Sequence, residues 1–478
     1  MLDLLRDLMD TAAGRCSYAD VRRVDRMTER VSTLNGAVEG IEDFESDGIG
    51  IRVRAGSGWG FAATSDVSRA GAERTLRRAL ALAESQPLGR AGPLAPAPPA
   101  AGRWDGPCAK DPFAVSPEQK LSLLLDADEA MRGDGRIVRT HGHVMLRRAV
   151  QAFASSEGAT YEQTMTECGG GIAVFALQDG ELQERSYPGG HGGDVAAAGW
   201  EHVESLDLVG AAPRIAEEAV ELLSAPPCPE GVTTVVLGPD QLALQLHESI
   251  GHALELDRML GIEAAYAGTS WVSPQDLGHA RYGSDLLHVT ADATLPGALG
   301  SFGWDDEGVP GQRQALIQEG VLRGALSSRE SAAAAGLAGS SGCMRADGFT
   351  RQPLVRMTNV SIEPGQAGSL EELVADTGEG LFLETNRSWS IDDRRLQFQF
   401  ATEVGREIRG GRLGRLYRNP SYAGLTPHFW GSMDAACSAS EWRLHGLVNC
   451  GKGEPGQVMH VSHGAVPARF RDVQVGVA

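Results

Sequence analysis

The chain has 478 residues, 42% hydrophobic and 22% charged, a balance typical of globular proteins large enough for two or more domains. A formal net charge of −20 argues against nonspecific nucleic-acid binding, which needs a basic surface. No run of about 18 apolar residues offers a membrane span, and the first residues, Met1-Leu2-Asp3-Leu4-Leu5-Arg6-Asp7, lack the pattern of a secretory signal.

In chain order, Leu2–Ala13 and residues 70–85 read as helices. Residues 48–54 alternate like a strand and run into a hairpin-like turn at Gly56-Ser57-Gly58. Residues 87–106 are rich in Pro, Ala and Gly and read as a long loop. Residues 117–132 and 207–224 look helical. Between them, 137–198 reads as a meander of strands broken at Gly158, at Gly169-Gly170-Gly171 and at Asp179-Gly180. Ala225-Pro226-Pro227-Cys228-Pro229 marks a domain boundary. The expected fold class is therefore α+β. A mixed α/β domain, 1–228, precedes a mostly antiparallel β domain, 229–478. No strand–GxGxxG–helix context supports a Rossmann reading.

The second half opens with Gly231–Leu237, β-branched and strand-like. Gly238-Pro239-Asp240 then carries helix-start signals, and Leu242, Leu246, Ile250 and Leu254 follow at i+4 spacing. Inside this helix lies His247-Glu248-Ser249-Ile250-Gly251-His252. It is one residue longer than H-E-x-x-H, in which two histidines on one helical face bind zinc and the glutamate is the base. On a regular helix, i and i+5 diverge by about 140°. A π-bulge or an unwound turn near Gly251 would bring both imidazoles onto one side, and glycine removes a Cβ there. Alone, the motif is a weak signal, and the alternative is two helical histidines beside a surface glutamate.

Catalytic zinc usually takes three protein ligands. Asn449-Cys450-Gly451-Lys452-Gly453-Glu454-Pro455-Gly456-Gln457 offers a candidate: a cysteine at a strand end before a Gly-rich turn, with Lys452 placed to favour the thiolate. The competing reading is a buried, inert thiol. The seven cysteines are odd in number and form no C-x-x-C, so a reduced, cytoplasmic protein is the simplest expectation.

Together these stretches resemble the TldD/PmbA metallopeptidases. His247 to Glu255 and Asn449 to Gln457 are similar to the two signatures of that family. Asp305-Asp306-Glu307-Gly308-Val309-Pro310 and Arg356-Met357-Thr358-Asn359 are similar to further recurring stretches in the same order. The resemblance covers essentially the whole chain. It implies a zinc peptidase with His247, His252 and Cys450 as metal ligands and Glu248 as the residue that activates water. It implies the metal-bearing, TldD-type subunit, working on unfolded peptide, paired with a metal-free TldE/PmbA-type paralogue or with itself. The alternatives are a non-catalytic scaffold subunit of such a complex and a regulatory protein acting on DNA. The intact motif speaks against the first and the acidic charge against the second. The tail departs from the family pattern, with His460 and His463 where a less polar strand is expected.

Other polar residues have two readings each. Asp305, Asp306 and Glu307 either orient the metal-bound histidines or form a solvated turn. Glu255, three residues after His252, either supports the site or is a surface charge. Arg356 and Asn359 either pair with a peptide or serve structural hydrogen bonds. His460 and His463, three apart on a strand, face opposite sides, so at most one points toward Cys450, and the zinc reading needs neither.

Overall fold

The computed structural model describes residues 1–86, 91–98, 100–190 and 192–476. Its first half is built on an eight-stranded sheet: β1 (Tyr18–Leu34), β2 (Ala37–Ala55), β3 (Gly58–Thr64), β4 (Ala101–Asp105), β5 (Ile137–Ser155), β6 (Thr160–Gln178), β7 (Glu181–Tyr187) and β8 (Asp194–Ala196). The order is β3-β2-β1-β5-β6-β4, with β7 and β8 also paired to β6. All pairs are antiparallel except β4 with β6.

Alternate residues of a strand point to opposite faces, and here the two faces have opposite chemistry. Val21 and Val31 of β1, and Val144, Leu146, Ala152 and Ala154 of β5, bury under the helices Leu2–Ala13, Arg69–Glu84, Pro117–Met131 and Leu208–Leu222. The intervening residues are polar and face the second half of the chain. Arg22 meets Asp306 at 2.7 Å, Arg26 meets Asp347 at 2.9 Å, and Glu167 meets His460 at 2.5 Å. Arg52 of β2 meets Glu307 at 3.3 Å, and the Tyr161 hydroxyl donates to the Asp305 carbonyl at 2.7 Å.

The second half centres on a seven-stranded sheet. Gly231–Leu237 lies between Glu379–Ile391, parallel to it, and Ala468–Val475, antiparallel. Glu379–Ile391 also pairs with Gln397–Arg409, so the path closes on itself. Its core includes Val235, Leu246, Ile250, Met357, Phe398 and Cys450.

Two expectations change. Within the expected loop 87–106, Ala101–Asp105 is a strand, because its backbone finds a parallel ladder on residues 160–164 of β6. Residues 87–90 and 99 of that loop lie outside the described ones. Gly169-Gly170-Gly171 does not break the meander but lies inside β6. A Cβ at Gly169 would sit 2.1 Å from the Asp194 carbonyl oxygen, and one at Gly170 2.3 Å from that of His143. The glycines serve close backbone approach rather than a turn. The breaks at Gly158 and Asp179-Gly180 are turns with positive φ. No helix among the described residues is long and apolar enough to cross a membrane.

Candidate metal centre

The site begins where Gly231–Leu237 turns at Gly238 into the helix Pro239–Leu246, with Pro239 at its first position and Asp240 in its first turn. The helix then changes pitch. His247–Gly251 is a π-helical turn, closed by the His252 N–H donating to the His247 carbonyl, and His252–Leu254 is a tight 3₁₀ turn. The wider turn sets the two imidazoles side by side, ring centroids 4.7 Å apart. A neighbour rather than the turn requires Gly251: its φ of −53° suits any residue, but a Cβ there would lie 2.0 Å from Met357 Sδ. Ser249 pins the back of the turn. Its hydroxyl accepts from Trp430 Nε1 at 2.9 Å, and its carbonyl accepts from the Tyr282 hydroxyl at 2.5 Å.

Cys450 arrives from the strand Arg443–Lys452, far along the chain. Its Sγ lies 3.6 Å from His252 Nε2, and one donor atom each of His247, His252 and Cys450 fall within 4.8 Å of one another. All three residues are buried. Arg356, fully buried, donates to the Cys450 and Gln457 carbonyls and so fixes this strand end. Burial pushes the Cys450 thiol up, but His252 and Arg356 outweigh it, and the thiol lies below its ordinary value. Burial holds His247 down to about 4 and lowers His252, so both rings are neutral near pH 7. Two neutral imidazoles and a thiolate-prone cysteine are the donor set of a zinc site.

The surrounding polar residues are accounted for as follows. Glu255 is buried and accepts from His252 Nδ1 at 3.0 Å, from Arg258 Nε at 3.0 Å and from Lys452 Nζ at 3.2 Å. Burial opposes its ionisation, yet Lys452, His252 and Arg258 hold its carboxyl well below the usual range. Lys452 is therefore spent on Glu255, on Asp257 at 2.8 Å and on the Val355 carbonyl, not on the Cys450 thiolate. Asp305, Asp306 and Glu307 neither orient the histidines nor form a solvated turn. All three are buried, and they join the two halves through Arg22, Arg52 and Tyr161, while Glu307 also accepts from the Arg329 N–H within the second half. Asn359 makes structural bonds to Gly300, Asp292 and Ser301.

Two residues at the site had little or no sequence signal. His463 contacts His247, with its Nε2 2.7 Å from His247 Nδ1, while His460 faces the other way toward Glu167. The odd tail pattern marked His463, but nothing tied it to His247. Arg395 sits in the turn between Glu379–Ile391 and Gln397–Arg409 and reaches Glu248 at 2.5 Å.

Family models match most of the chain: the PmbA/TldA metallopeptidase domain 1 over residues 19–83, the central domain over 110–225 and the C-terminal domain over 230–476. A metalloprotease of Methanothermobacter thermautotrophicus is 29% identical over 476 residues, 99% of this chain and 98% of its own. A metalloprotease of Methanocaldococcus jannaschii is 30% identical over 414 residues, 85% of this chain and 86% of its own. The crystal structure of TldE from Thermococcus kodakarensis has the same fold, with a TM-score of 0.77 at 14% identity over 99% of this chain and 100% of that one. The buried histidine pair and distant cysteine thus sit in a chain that belongs to the PmbA/TldD metallopeptidase family.

Proposed function

We propose that this chain is the metal-bearing, TldD-type member of its family and hydrolyses peptide bonds in unfolded peptides with one zinc ion. The observation that carries the proposal is the convergence of His247, His252 and Cys450 on one buried point beside Glu248. When bound, zinc supplies Lewis acidity to the scissile carbonyl and to an attacking water. Glu248 follows His247 in the π-turn that leads into His252 but is not among the three converging donors. It would take the proton of the water and return it to the leaving nitrogen. Arg395 holds the Glu248 carboxylate by one oxygen, Oε2, and so fixes its direction. Glu255 and His463 orient the imidazoles.

The substrate reading rests on the metal–glutamate chemistry and the family resemblance, with an extended peptide held by main-chain pairing to strands beside the site. Pairing of this kind reads main chain rather than side chains and excludes compact proteins. The family resemblance favours a working unit of at least two chains, with a metal-free paralogue or a second copy. Seven cysteines without disulfides suit a reducing compartment.

The test measures zinc content and hydrolysis of an unstructured peptide by wild type and Glu248→Ala, with and without a candidate paralogue. The expectation is stoichiometric zinc in both and a loss of about 10²–10⁴ in rate for the variant. A Glu248→Ala protein that turns over at the wild-type rate would remove the proposed base.

A further inference from the structure

We infer that His463 is a positioning residue: it passes the fixed polarity of a backbone carbonyl to His247 and so decides which nitrogen of that ring is free for a metal. The inference rests on His247 being a ligand, as proposed above. A carbonyl oxygen only accepts hydrogen bonds. His463 Nδ1 lies 2.7 Å from the Val360 carbonyl oxygen, so Nδ1 carries the proton. A neutral imidazole has one N–H, which leaves His463 Nε2 as an acceptor. That atom faces His247 Nδ1 at 2.7 Å. His247 must therefore donate from Nδ1, and its Nε2 keeps a lone pair.

The same logic holds independently for the other histidine. His252 Nδ1 meets the Glu255 carboxylate, which only accepts, and its Nε2 faces Cys450 Sγ. Both rings thus present Nε2, but from different supports. His252 is backed by an anion. His247 is backed by a neutral ring that ends on a carbonyl, so orientation is obtained without a second buried negative charge. His463 is fully buried and packs edge-on against His247, with ring centroids 4.9 Å apart, so no solvent competes for the bond. The arrangement also removes His463 from the candidate ligands, because its one lone pair is already used.

Two measurements test this. In metal-free protein with isotope-labelled histidine, two-bond nitrogen–hydrogen couplings should report the Nδ1–H tautomer for both His247 and His463. An Nε2–H tautomer at His247 would overturn the inference. Zinc affinity by chelator competition should fall about 10–100-fold in His463→Leu, as for other partners of metal-bound histidines. It should return close to wild type in His463→Gln, whose amide can both accept and donate. A leucine variant that binds zinc as tightly as wild type would also overturn it. If wild type itself binds no zinc, the metal reading fails, while the couplings still decide the tautomers.

Discussion

Arg395 meets Glu248 at 2.5 Å from a hairpin turn 147 residues further along the chain. Its backbone has φ +61°, in the left-handed region that arginine seldom occupies. The Arg395 N–H donates to Asp392 and its carbonyl accepts from the Thr426 hydroxyl, so both sides of the residue are tied. Strain of this kind persists where the surroundings enforce it, and here it aims a guanidinium at the proposed base. Arg395→Ala should keep its zinc and lose about 10²-fold in kcat, the scale expected when a catalytic group is misplaced by about 1 Å. Unchanged kcat would show that Glu248 needs no guanidinium to hold it.

Cys450 makes its own prediction. With the sulfur gone, two imidazoles remain, and a stable zinc site needs a third protein donor. Cys450→Ala should purify with well below one zinc per chain. Undiminished zinc by elemental analysis would take Cys450 out of the ligand set.

Gly251 and Met357 compete for one volume. Gly251→Ala places a methyl 2.0 Å from Met357 Sδ, and Met357 is fully buried, so the site cannot relax freely. The substitution should cost about 1–3 kcal/mol and weaken zinc binding. Adding Met357→Ala should cost less than the two single changes summed, as read from urea midpoints in a double-mutant cycle. Simple additivity would mean that the clash is absorbed elsewhere.

Glu167 sets a pH dependence. Burial opposes its ionisation, but Arg147, His460 and Arg26 outweigh it and hold the carboxyl down to about 2 from an ordinary 4.5. A depressed carboxylate contributes stability above its unfolded-state value and loses it as pH falls through the folded-state value. Glu167→Gln should therefore be less stable by about 2–3 kcal/mol near neutrality. The gap should narrow below pH 4.5 and close near pH 2. A gap that stayed constant across that window would show the charge to be irrelevant.

The parts of this fold that sequence reveals are those governed by local rules. Pro239 and Asp240 announce a helix start, the 117–132 pattern becomes the helix Pro117–Met131, and strand alternation puts His460 and His463 on opposite sides. The length of β1 is hidden because its second face is charged rather than apolar, with Asp20, Arg22 and Arg26 serving a buried polar contact. Asp305-Asp306-Glu307 misleads for the same reason: acids in sequence suggest water, and the arginine partners of Glu307 and Asp306 lie 255 and 284 positions away. His252 and Cys450 are 198 residues apart, so spacing alone could not join them, and the family resemblance did. Arg395 left no trace, because its role depends on a hairpin turn whose tip faces a helix from another part of the chain.

The polar contact between the two halves constrains how such a chain can be recombined. Arg22 with Asp306, Arg52 with Glu307 and Glu167 with His460 each place one partner in either half, and every one of these side chains is largely out of water. A chimera joining the first half of this chain to the second half of a divergent relative would bring unmatched charges together in a largely buried seam. Each bereft ion costs several kcal/mol. Modular exchange within the family is therefore gated by charge matching across this seam, and substitutions on its two sides are expected to travel in pairs.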